Sequence, residues 1–407
     1  MSDNVAILSR ESQTNKRWGT GQGFKPWSQK KELNGKEKDI PWKLDQPYLG
    51  ASGTWQSDLL MLPQDTITLG KALKEKKNRC EYIYCNPDPR FFVPPMVLVS
   101  QGFASPKVTY NDNMPVVFQH ALQSICILKP ARDDEKLLKF LCAYVRSSLG
   151  KYFLFHNSSN WGTERDKVHL YELLRIPFPL PADTDDEKRA QNIIDEVNSL
   201  FSDLSNAINT FEDKDLFVSK DRIKTSYRKR LVEECQLKLN QLIYKYFDLT
   251  TQEIAIVEDT NQIIIPSTTP TTWDKKVPSL DCLASTHIEP YHNGGLKIYA
   301  DMLCSVLNNW SAQGNHFGRI SARYDYKEQG GLISVCVFKQ DIPFPVEQLS
   351  NRWLSNSKFI SDREVIHFSD YSVTITRPDK LICWTRIAAI NDAARLFSEL
   401  RALWGGG

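Results

Sequence analysis

The sequence predicts an α+β protein, built from a mixed α/β domain, a helical pair that acts as a spacer and a small C-terminal α+β domain. Short apolar runs broken by turn residues fill residues 61–181, which is typical of strands mixed with short helices. Over residues 184–257 apolar residues recur every three or four positions, as in amphipathic helices. A stretch rich in Thr, Pro and Ser at 258–285 predicts a linker before the last domain, residues 286–404.

Residues 1–60 are polar and rich in Gly, Lys and Trp, with no apolar period, so we expect an extended arm or irregular loops. Exposing tryptophan is costly, and the tryptophans of this arm predict that it packs on something. The run Gly19–Gly23 invites comparison with a cofactor-binding glycine loop, but such a loop needs an apolar strand before it and a helix after it. Neither is present, and we interpret the run as a flexible glycine arm.

In the first domain, turn-bounded apolar runs predict strands after the prolines of 91–100 and at 107–110, 115–118 and 124–128. A helix is predicted from Asp133 and Asp134, with an apolar face that reaches Leu149. A second, short helix is expected within 166–174, and the proline-rich run at 176–181 ends the domain.

The spacer and the C-terminal domain show clearer periodicity in their apolar residues. An acidic first turn at 185–187 starts one spacer helix, and a second carries an apolar face over 231–246, so an antiparallel pair is expected. In the C-terminal domain, helices are predicted at 296–307 and 388–404, and hairpins at 320–339 and 371–384.

The composition excludes several classes of protein. The net charge of +2 neither demands nor excludes a nucleic-acid partner, because the distribution of charge matters more than its sum. No stretch approaches the roughly 18 uncharged apolar residues of a transmembrane helix, and the N-terminus lacks a signal-peptide core, so no membrane association is expected. Nine scattered cysteines argue against a secreted disulfide framework and favour a cytoplasmic protein.

Two groups of residues have the residue types of a metal site or a hydrolytic site, but neither is a convincing candidate. Cys80 and Cys85 lack the second ligand pair of a zinc site, and we interpret them as half-buried strand residues. Asp281, Cys282, His287 and His292 lie in or beside the linker, where solvent-facing roles are the better interpretation.

Four short motifs follow one another through the middle of the chain. Ser147-Ser148-Leu149 lies near the end of a predicted helix, and the loop Asn160–Arg165 (NWGTER) comes after it. The exit Ile176–Pro181 is next, and Leu239–Glu258 contains a Leu-Thr-x-x-Glu-Ile turn. With these motifs, residues 88–266 resemble the target-recognition region of adenine-specific DNA methyltransferases from restriction-modification and phage-defence systems.

The resemblance implies a chain that addresses DNA without methylating it. The family's catalytic motif is Asn or Asp, Pro, Pro, then Tyr or Phe. Here Asn86–Pro89 breaks the proline pair, and Val93–Met96 lacks both the polar residue and the aromatic. We therefore expect no enzymatic activity and no cofactor in this chain, with S-adenosylmethionine bound by a separate methyltransferase. This role is similar to that of the specificity subunit of type I restriction systems, which usually carries two recognition domains, whereas only one is visible here.

Reading duplex DNA needs cations for the phosphates and hydrogen-bonding groups for the base edges. The loop after the first recognition helix offers both, and its predicted DNA-binding residues are Asn157, Ser158, Ser159, Asn160, Trp161, Arg165 and Lys167. Two interpretations of Trp161 stand side by side, a wedge or stack on DNA and a buried anchor for the loop. Second candidates in nearby turns are Gln101, Lys107 and Gln119, since glutamine can pair with adenine.

A basic run in the spacer supplies the last predicted DNA contacts. Its candidate phosphate-binding residues are Lys224, Arg228, Lys229 and Arg230. A solvated helix face is the alternative interpretation of the run. The apolar stripes of the spacer helices are expected to dock the methyltransferase.

The sequence thus predicts a DNA sequence-specificity subunit that binds double-stranded DNA and directs a separate adenine methyltransferase. The alternative is a scaffold or adaptor of a defence complex that reads no sequence. A third hypothesis, a stand-alone methyltransferase, would require the isolated chain to bind S-adenosylmethionine.

Overall fold

The chain divides into two compact units, Met1–Leu249 and Thr250–Gly407. Each combines helices with a four-stranded antiparallel sheet, so the α+β prediction is confirmed. The computed structural model describes residues 17–23, 26–27, 38–39, 48–49, 82–83, 88–101, 108–112, 115–118, 120–161, 167–214, 221–268, 294–314, 317–329, 332–340, 364–368, 371–378 and 381–405.

The main sheet of the first unit forms its core. Its strands are β1 (Trp18–Gln22), β6 (Met96–Ser100), β7 (Val108–Asn111) and β9 (Leu122–Ile127), in the order β1-β9-β6-β7. Two-residue strands are β2 (Pro26–Trp27), β3 (Lys38–Asp39), β4 (Tyr48–Leu49), β5 (Tyr82–Ile83) and β8 (Val117–Phe118). Every residue of β6 is buried, as expected for a strand with neighbours on both sides and helices against one face.

Strand β1 corrects the prediction of an extended, flexible arm for the residues that it contains. It pairs antiparallel with β9, with Trp18 opposite Ile127 and Gln22 opposite Gln123, and forms one edge of the sheet. Trp18 is 2% exposed and its ring lies 6.2 Å from that of Phe178. The prediction that a tryptophan of this segment packs on something is therefore confirmed for Trp18.

The glycines of β1 are needed for steric reasons. A Cβ atom built at Gly21 would stand 2.0 Å from Cδ2 of Phe91, and one at Gly19 would stand 2.9 Å from the same ring. Phe91 can lie across the strand only because both positions lack a side chain. The glycine run therefore makes room for an aromatic ring.

The helices of the first unit follow β9. They are α1 (Asp134–Arg146), α2 (Ser148–Asn157), α3 (Leu170–Leu173), α4 (Glu187–Lys214) and α5 (Asp221–Tyr246). The helix predicted to reach Leu149 breaks at Ser147, whose hydroxyl accepts from the Gly150 N–H at 3.1 Å and caps α2. Gly150 permits this sharp break, because a Cβ there would lie 2.2 Å from the Tyr144 carbonyl oxygen.

Helices α4 and α5 are the predicted helical pair. They run antiparallel, since Arg189 near the start of α4 donates to the carbonyl of Lys245 near the end of α5 at 2.7 Å. Their apolar stripes are buried in this unit, at Ile193, Ile194, Val197, Phe201 and Leu204 on α4 and at Leu239, Leu242, Ile243 and Tyr246 on α5. Both helices also contact α1. The expectation that these stripes dock a methyltransferase is corrected, because the described stripe residues already pack within the chain.

The second unit begins with helices where the sequence predicted the end of the spacer and the start of a linker. These are α6 (Thr251–Asp259), a π-helical turn (Thr260–Ile264) and α7 (Ile265–Thr268). The Leu-Thr-x-x-Glu-Ile turn is the N-cap of α6. Thr250 accepts from the Glu253 N–H at 3.3 Å, and the Glu253 carboxylate accepts from the Thr250 N–H at 2.8 Å, as a capping box does.

The rest of the second unit is a sheet covered by two helices, α8 (Gly294–Gly314) and α9 (Arg386–Trp404), both of which were predicted. The strands β10 (Ile320–Gln329), β11 (Leu332–Lys339), β12 (Val365–Phe368) and β13 (Ser372–Pro378) take the order β10-β11-β13-β12. The predicted hairpin of β10 and β11 is confirmed. The second predicted hairpin is wrong, because Leu381–Cys383 form a 3-10 turn and β13 pairs instead with β11 and β12.

No helix among the described residues is long and apolar enough to cross a membrane. Within the same residues, no three His, Cys, Asp or Glu side chains lie close enough to hold a metal ion. Cys80, Cys85 and the polar cluster at 281–292 lie outside the described residues.

Candidate nucleic-acid interface

The loop that the sequence assigns to DNA begins where α2 ends. We call residues 157–169 the recognition loop; the structure describes 157–161 and 167–169, and Arg165 lies outside the described residues. Asn157 is exposed at the end of α2, where its side-chain amide donates to the Phe153 carbonyl at 2.8 Å. The two described ends of the loop converge on α3.

Glu172, on α3, joins these two ends. Its carboxylate accepts from the backbone N–H and the hydroxyl of Ser159, at 2.9 and 2.8 Å, and from the backbone N–H of His169 at 2.8 Å. Ser158 adds a bridge, because its hydroxyl lies 3.2 Å both from the Glu172 carboxylate and from the Lys167 carbonyl. The hydroxyls of Ser158 and Ser159, which the sequence assigned to DNA, therefore bond within the frame of the loop.

The ionisation of Glu172 follows from these contacts. Burial acts to raise its pKa, but the N–H groups of Ser159 and His169 and the two serine hydroxyls outweigh burial, and the pKa lies below its ordinary value of 4.5. The residue is 1% exposed. A charged, buried carboxylate with this many donors fixes the loop, because any donor left unpaired by a movement would cost free energy.

Trp161 supplies an apolar anchor for the same loop. It is 6% exposed, and its ring meets that of Phe155 edge-on with centroids 5.6 Å apart. Of the two interpretations of this residue, the structure favours the buried anchor, since a ring packed against α2 is not presented to a DNA duplex.

A row of polar and aromatic side chains lies beside the recognition loop. The Asn160 amide nitrogen is 3.0 Å from Nε2 of His169, and the His169 ring stacks on Tyr171 at 5.5 Å with an interplanar angle of 10°. The guanidinium of Arg175 lies 5.6 Å from the centre of the Tyr171 ring. We call Asn160, His169, Tyr171 and Arg175 the aromatic row.

Sequence reasoning assigned only Asn160 of this row to DNA, and it missed Glu172. One signal was available for Glu172: an acidic residue three positions after a residue that starts a short helix is a common capping arrangement. A local signal was also available for the contact of Arg175 with Tyr171, because the two residues are four positions apart at the end of a short helix.

Of the second candidates, Gln101 belongs to the frame of the loop. Its carbonyl accepts from the Val168 N–H at 2.8 Å, and the side chain of Gln123 donates to the Val168 carbonyl at 3.1 Å, so the sheet holds the returning end of the loop. Gln101 is 5% exposed, and a buried amide does not reach a base edge. Lys107 and Gln119 lie outside the described residues.

The basic run on α5 is partly neutralised by its own helix. Arg230 donates to Glu234 at 2.8 Å, and the Lys229 ammonium lies 3.9 Å from Glu233. Such exposed pairs one helical turn apart are typical of a solvated helix face. The side chains of Lys224 and Arg228 lie outside the described residues, although the backbone of both is helical.

Comparison with protein-family models and with curated proteins gives no match. Among solved structures, a chain from a study of complex assembly and conformational transition of the type I R-M system is similar to this chain at 12% identity and a TM-score of 0.25. The similarity covers 54% of this chain and 43% of the other, so this chain matches less than half of that protein. A likeness at this level assigns neither fold nor function.

Proposed function

We propose that this chain is a DNA sequence-specificity subunit, which directs a separate adenine-specific DNA methyltransferase to its target. The observation that carries the proposal is the attachment of both ends of the recognition loop to the buried carboxylate of Glu172. The loop is one of the four consecutive motifs that resemble the recognition regions of methyltransferases. Its frame is rigid at the base, while Asn157 stays exposed and Asn160 and Lys167 are only partly buried.

Rigid placement matters because base reading depends on direction. An asparagine amide can donate to and accept from the edge of adenine at once, but only when its position is set within a fraction of an ångström. Lys167 adds a cation for a neighbouring phosphate, a contact that fixes register without reading sequence. In this proposal, the frame of the recognition loop is held by Ser158, Ser159 and Trp161.

The methyltransferase partner supplies the chemistry. Base flipping and transfer of the methyl group from S-adenosylmethionine take place in that partner. Because the described apolar stripes of α4 and α5 are buried, we propose that the partner docks on their outward faces. Leu237 on α5 is 67% exposed and lies among polar residues, which makes it the apolar point of that surface.

Sequence selection from a library of duplexes with a randomised core tests the proposal. The full chain is combined with an adenine methyltransferase that lacks a recognition domain of its own, and the complex is expected to enrich one motif. The methyltransferase alone is expected to enrich none. Asn160→Ala is expected to weaken the preference for the motif, whereas Asn309→Ala, the same change at an exposed position of α8 in the second unit, is expected to leave it intact.

The alternative function, a scaffold that reads no sequence, gives a different result. A scaffold complex would assemble with the methyltransferase and yet enrich no motif, and this outcome would overturn the proposal. Binding of S-adenosylmethionine by the isolated chain would support the third hypothesis, a stand-alone methyltransferase.

A further inference from the structure

We infer that Arg175, positioned against the ring of Tyr171, contacts a phosphate of duplex DNA beside the recognition loop. The inference rests on the proposed function and adds a contact that anchors the duplex without reading its sequence. It starts from an exposed aromatic ring: Tyr171 is 55% exposed, although its neighbours Glu172 and Leu173 on α3 are buried.

The exposed ring is held in place from several directions. His169 stacks on it almost in parallel, its hydroxyl lies 3.4 Å from the Glu172 carboxylate, and the Arg175 guanidinium lies 5.6 Å from its centre. Glu172 is itself fixed by the recognition loop. An exposed aromatic side chain whose orientation is already set loses little entropy on binding, which is the usual property of an interface anchor.

Arg175 is exposed and forms no ion pair with any residue that the structure describes. Arg230, on α5, is exposed too, but it donates to Glu234 at 2.8 Å. A guanidinium positioned against a ring keeps N–H donors available for a phosphate. Arg175 is therefore an available cation beside the recognition loop, whereas the described cations of the basic run have carboxylate partners.

The charges near this surface favour the binding of a polyanion. Lys167 and Arg175 carry positive charge, and Glu172, the carboxylate that contacts this surface among the described residues, is buried and saturated with donors. Phosphates next to the bases read by Asn160 would meet these two cations. Because a phosphate is the same at every position, Arg175 acts on affinity and register, and Asn160 acts on sequence preference.

The test measures binding of the full chain with its methyltransferase to the selected duplex and to a scrambled duplex, over a range of salt concentrations. Arg175→Ala is expected to weaken binding to both duplexes by a similar factor, about 5- to 10-fold, and to reduce the slope of log affinity against log salt by about 0.9, as for one lost phosphate contact. Arg175→Lys is expected to keep the slope. Arg132→Ala is the matched control, because Arg132 is exposed, lies 3.7 Å from Asp133 and stands outside the recognition loop and the spacer helices, and it is expected to change neither quantity.

Tyr171 is tested in the same assay. Tyr171→Phe is expected to bind as the unchanged protein does, since the ring remains, while Tyr171→Ala is expected to lose several-fold in affinity for both duplexes. Thermal melting of each variant shows that the fold is kept, which the exposure of both side chains favours.

Three outcomes overturn the inference. If Arg175→Ala leaves affinity and salt slope unchanged while the unchanged complex binds its motif, the inference fails and the proposed function stands. If Arg175→Ala weakens binding to the motif alone, Arg175 reads bases and the phosphate assignment fails. If the unchanged complex enriches no motif, the proposed function fails as well.

Discussion

Asn240 on α5 bonds to Ser148 at the break between α1 and α2. Its amide oxygen accepts from the Ser148 N–H at 3.1 Å, and its amide nitrogen donates to the Ser148 hydroxyl at 3.0 Å. The Gln236 side chain also donates to Asn240 at 3.1 Å and accepts from Arg146 at 2.8 Å. This chain of polar contacts ties the helical pair to the helices that lead into the recognition loop, so a partner docked on α5 has a fixed geometry relative to that loop.

We expect Asn240→Ala to lower the free energy of unfolding by roughly 1–3 kcal/mol, because it removes three hydrogen bonds made by a side chain that is 7% exposed. Urea unfolding followed by circular dichroism measures the change. Gln241→Ala, at the exposed neighbouring position, is expected to cost under about 0.5 kcal/mol. Equal effects of the two substitutions would show that the Asn240 contacts do not stabilise the unit.

The depressed pKa of Glu172 predicts a pH dependence of stability. A carboxylate whose folded pKa lies below its unfolded value stabilises the fold above the unfolded pKa, and this stabilisation is lost as pH falls through the folded pKa. With an ordinary value of 4.5, the contribution is complete near neutral pH and declines below about pH 4.5.

We therefore expect Glu172→Gln to lower the free energy of unfolding at pH 7 by roughly 1.5–3 kcal/mol, the range for a hydrogen-bonded charge. The difference between this variant and the unchanged protein is expected to shrink as the pH falls below 4.5. Unfolding by urea across a pH series measures it. A difference that stayed constant down to the most acid pH would contradict the assignment to ionised Glu172.

The contact between Gly21 and Phe91 predicts a steric effect. Gly21→Ala places a methyl group where Cδ2 of Phe91 lies 2.0 Å away, and we expect a loss of about 1–3 kcal/mol from this overpacking. A double-mutant cycle with Phe91→Ala isolates the clash. In the background without the ring, Gly21→Ala is expected to cost clearly less, and additive effects would exclude the Phe91 ring as the cause.

The sequence predicted best those elements whose signals are local. The stripes of α4, α5, α8 and α9 repeat over many residues, and the Gln329–Gly331 turn lies between two apolar runs, so these elements are confirmed. Strand β1 was missed because its glycines lower strand propensity locally, while its stability comes from pairing with β9, far along the chain.

In the candidate site, too, local signals predict some features and tertiary contacts determine the others. The loop at 157–161 follows from its helix end and polar composition, and no such pattern reveals that Ser158 and Ser159 bond to Glu172. The wrong hairpin at 381–384 has a related cause. Leu381 and Trp384 are apolar enough for a strand, but Leu381–Cys383 form a 3-10 turn and the Trp384 indole donates to the Pro378 carbonyl at 3.0 Å. Tertiary contacts decided these positions.

The buried polar cluster of the second unit gives the last prediction. Arg377 on β13 donates to Asp392 of α9 at 2.6 Å, to Glu364 at 2.7 Å and to the Cys383 carbonyl at 3.1 Å. Tyr299 of α8 donates to the other oxygen of Asp392 at 2.6 Å. The cluster joins both helices to the sheet. Arg377 is its buried cation, and the exposed Arg395 adds a second cation 3.1 Å from Glu364 and 3.8 Å from Asp392.

We expect Arg377→Met to lower the free energy of unfolding by about 3–5 kcal/mol, because it removes the buried cation from the carboxylate of Asp392 and leaves only the exposed Arg395, 3.8 Å away. Arg395 is the matched control, since it bonds to Glu364 at 3.1 Å but is 56% exposed. Arg395→Met is expected to cost at most about 1 kcal/mol. Combining Arg377→Met with Asp392→Leu removes both buried charges and is expected to recover part of the loss. If the double variant were less stable than Arg377→Met alone, the cost would come from lost packing and not from an uncompensated charge.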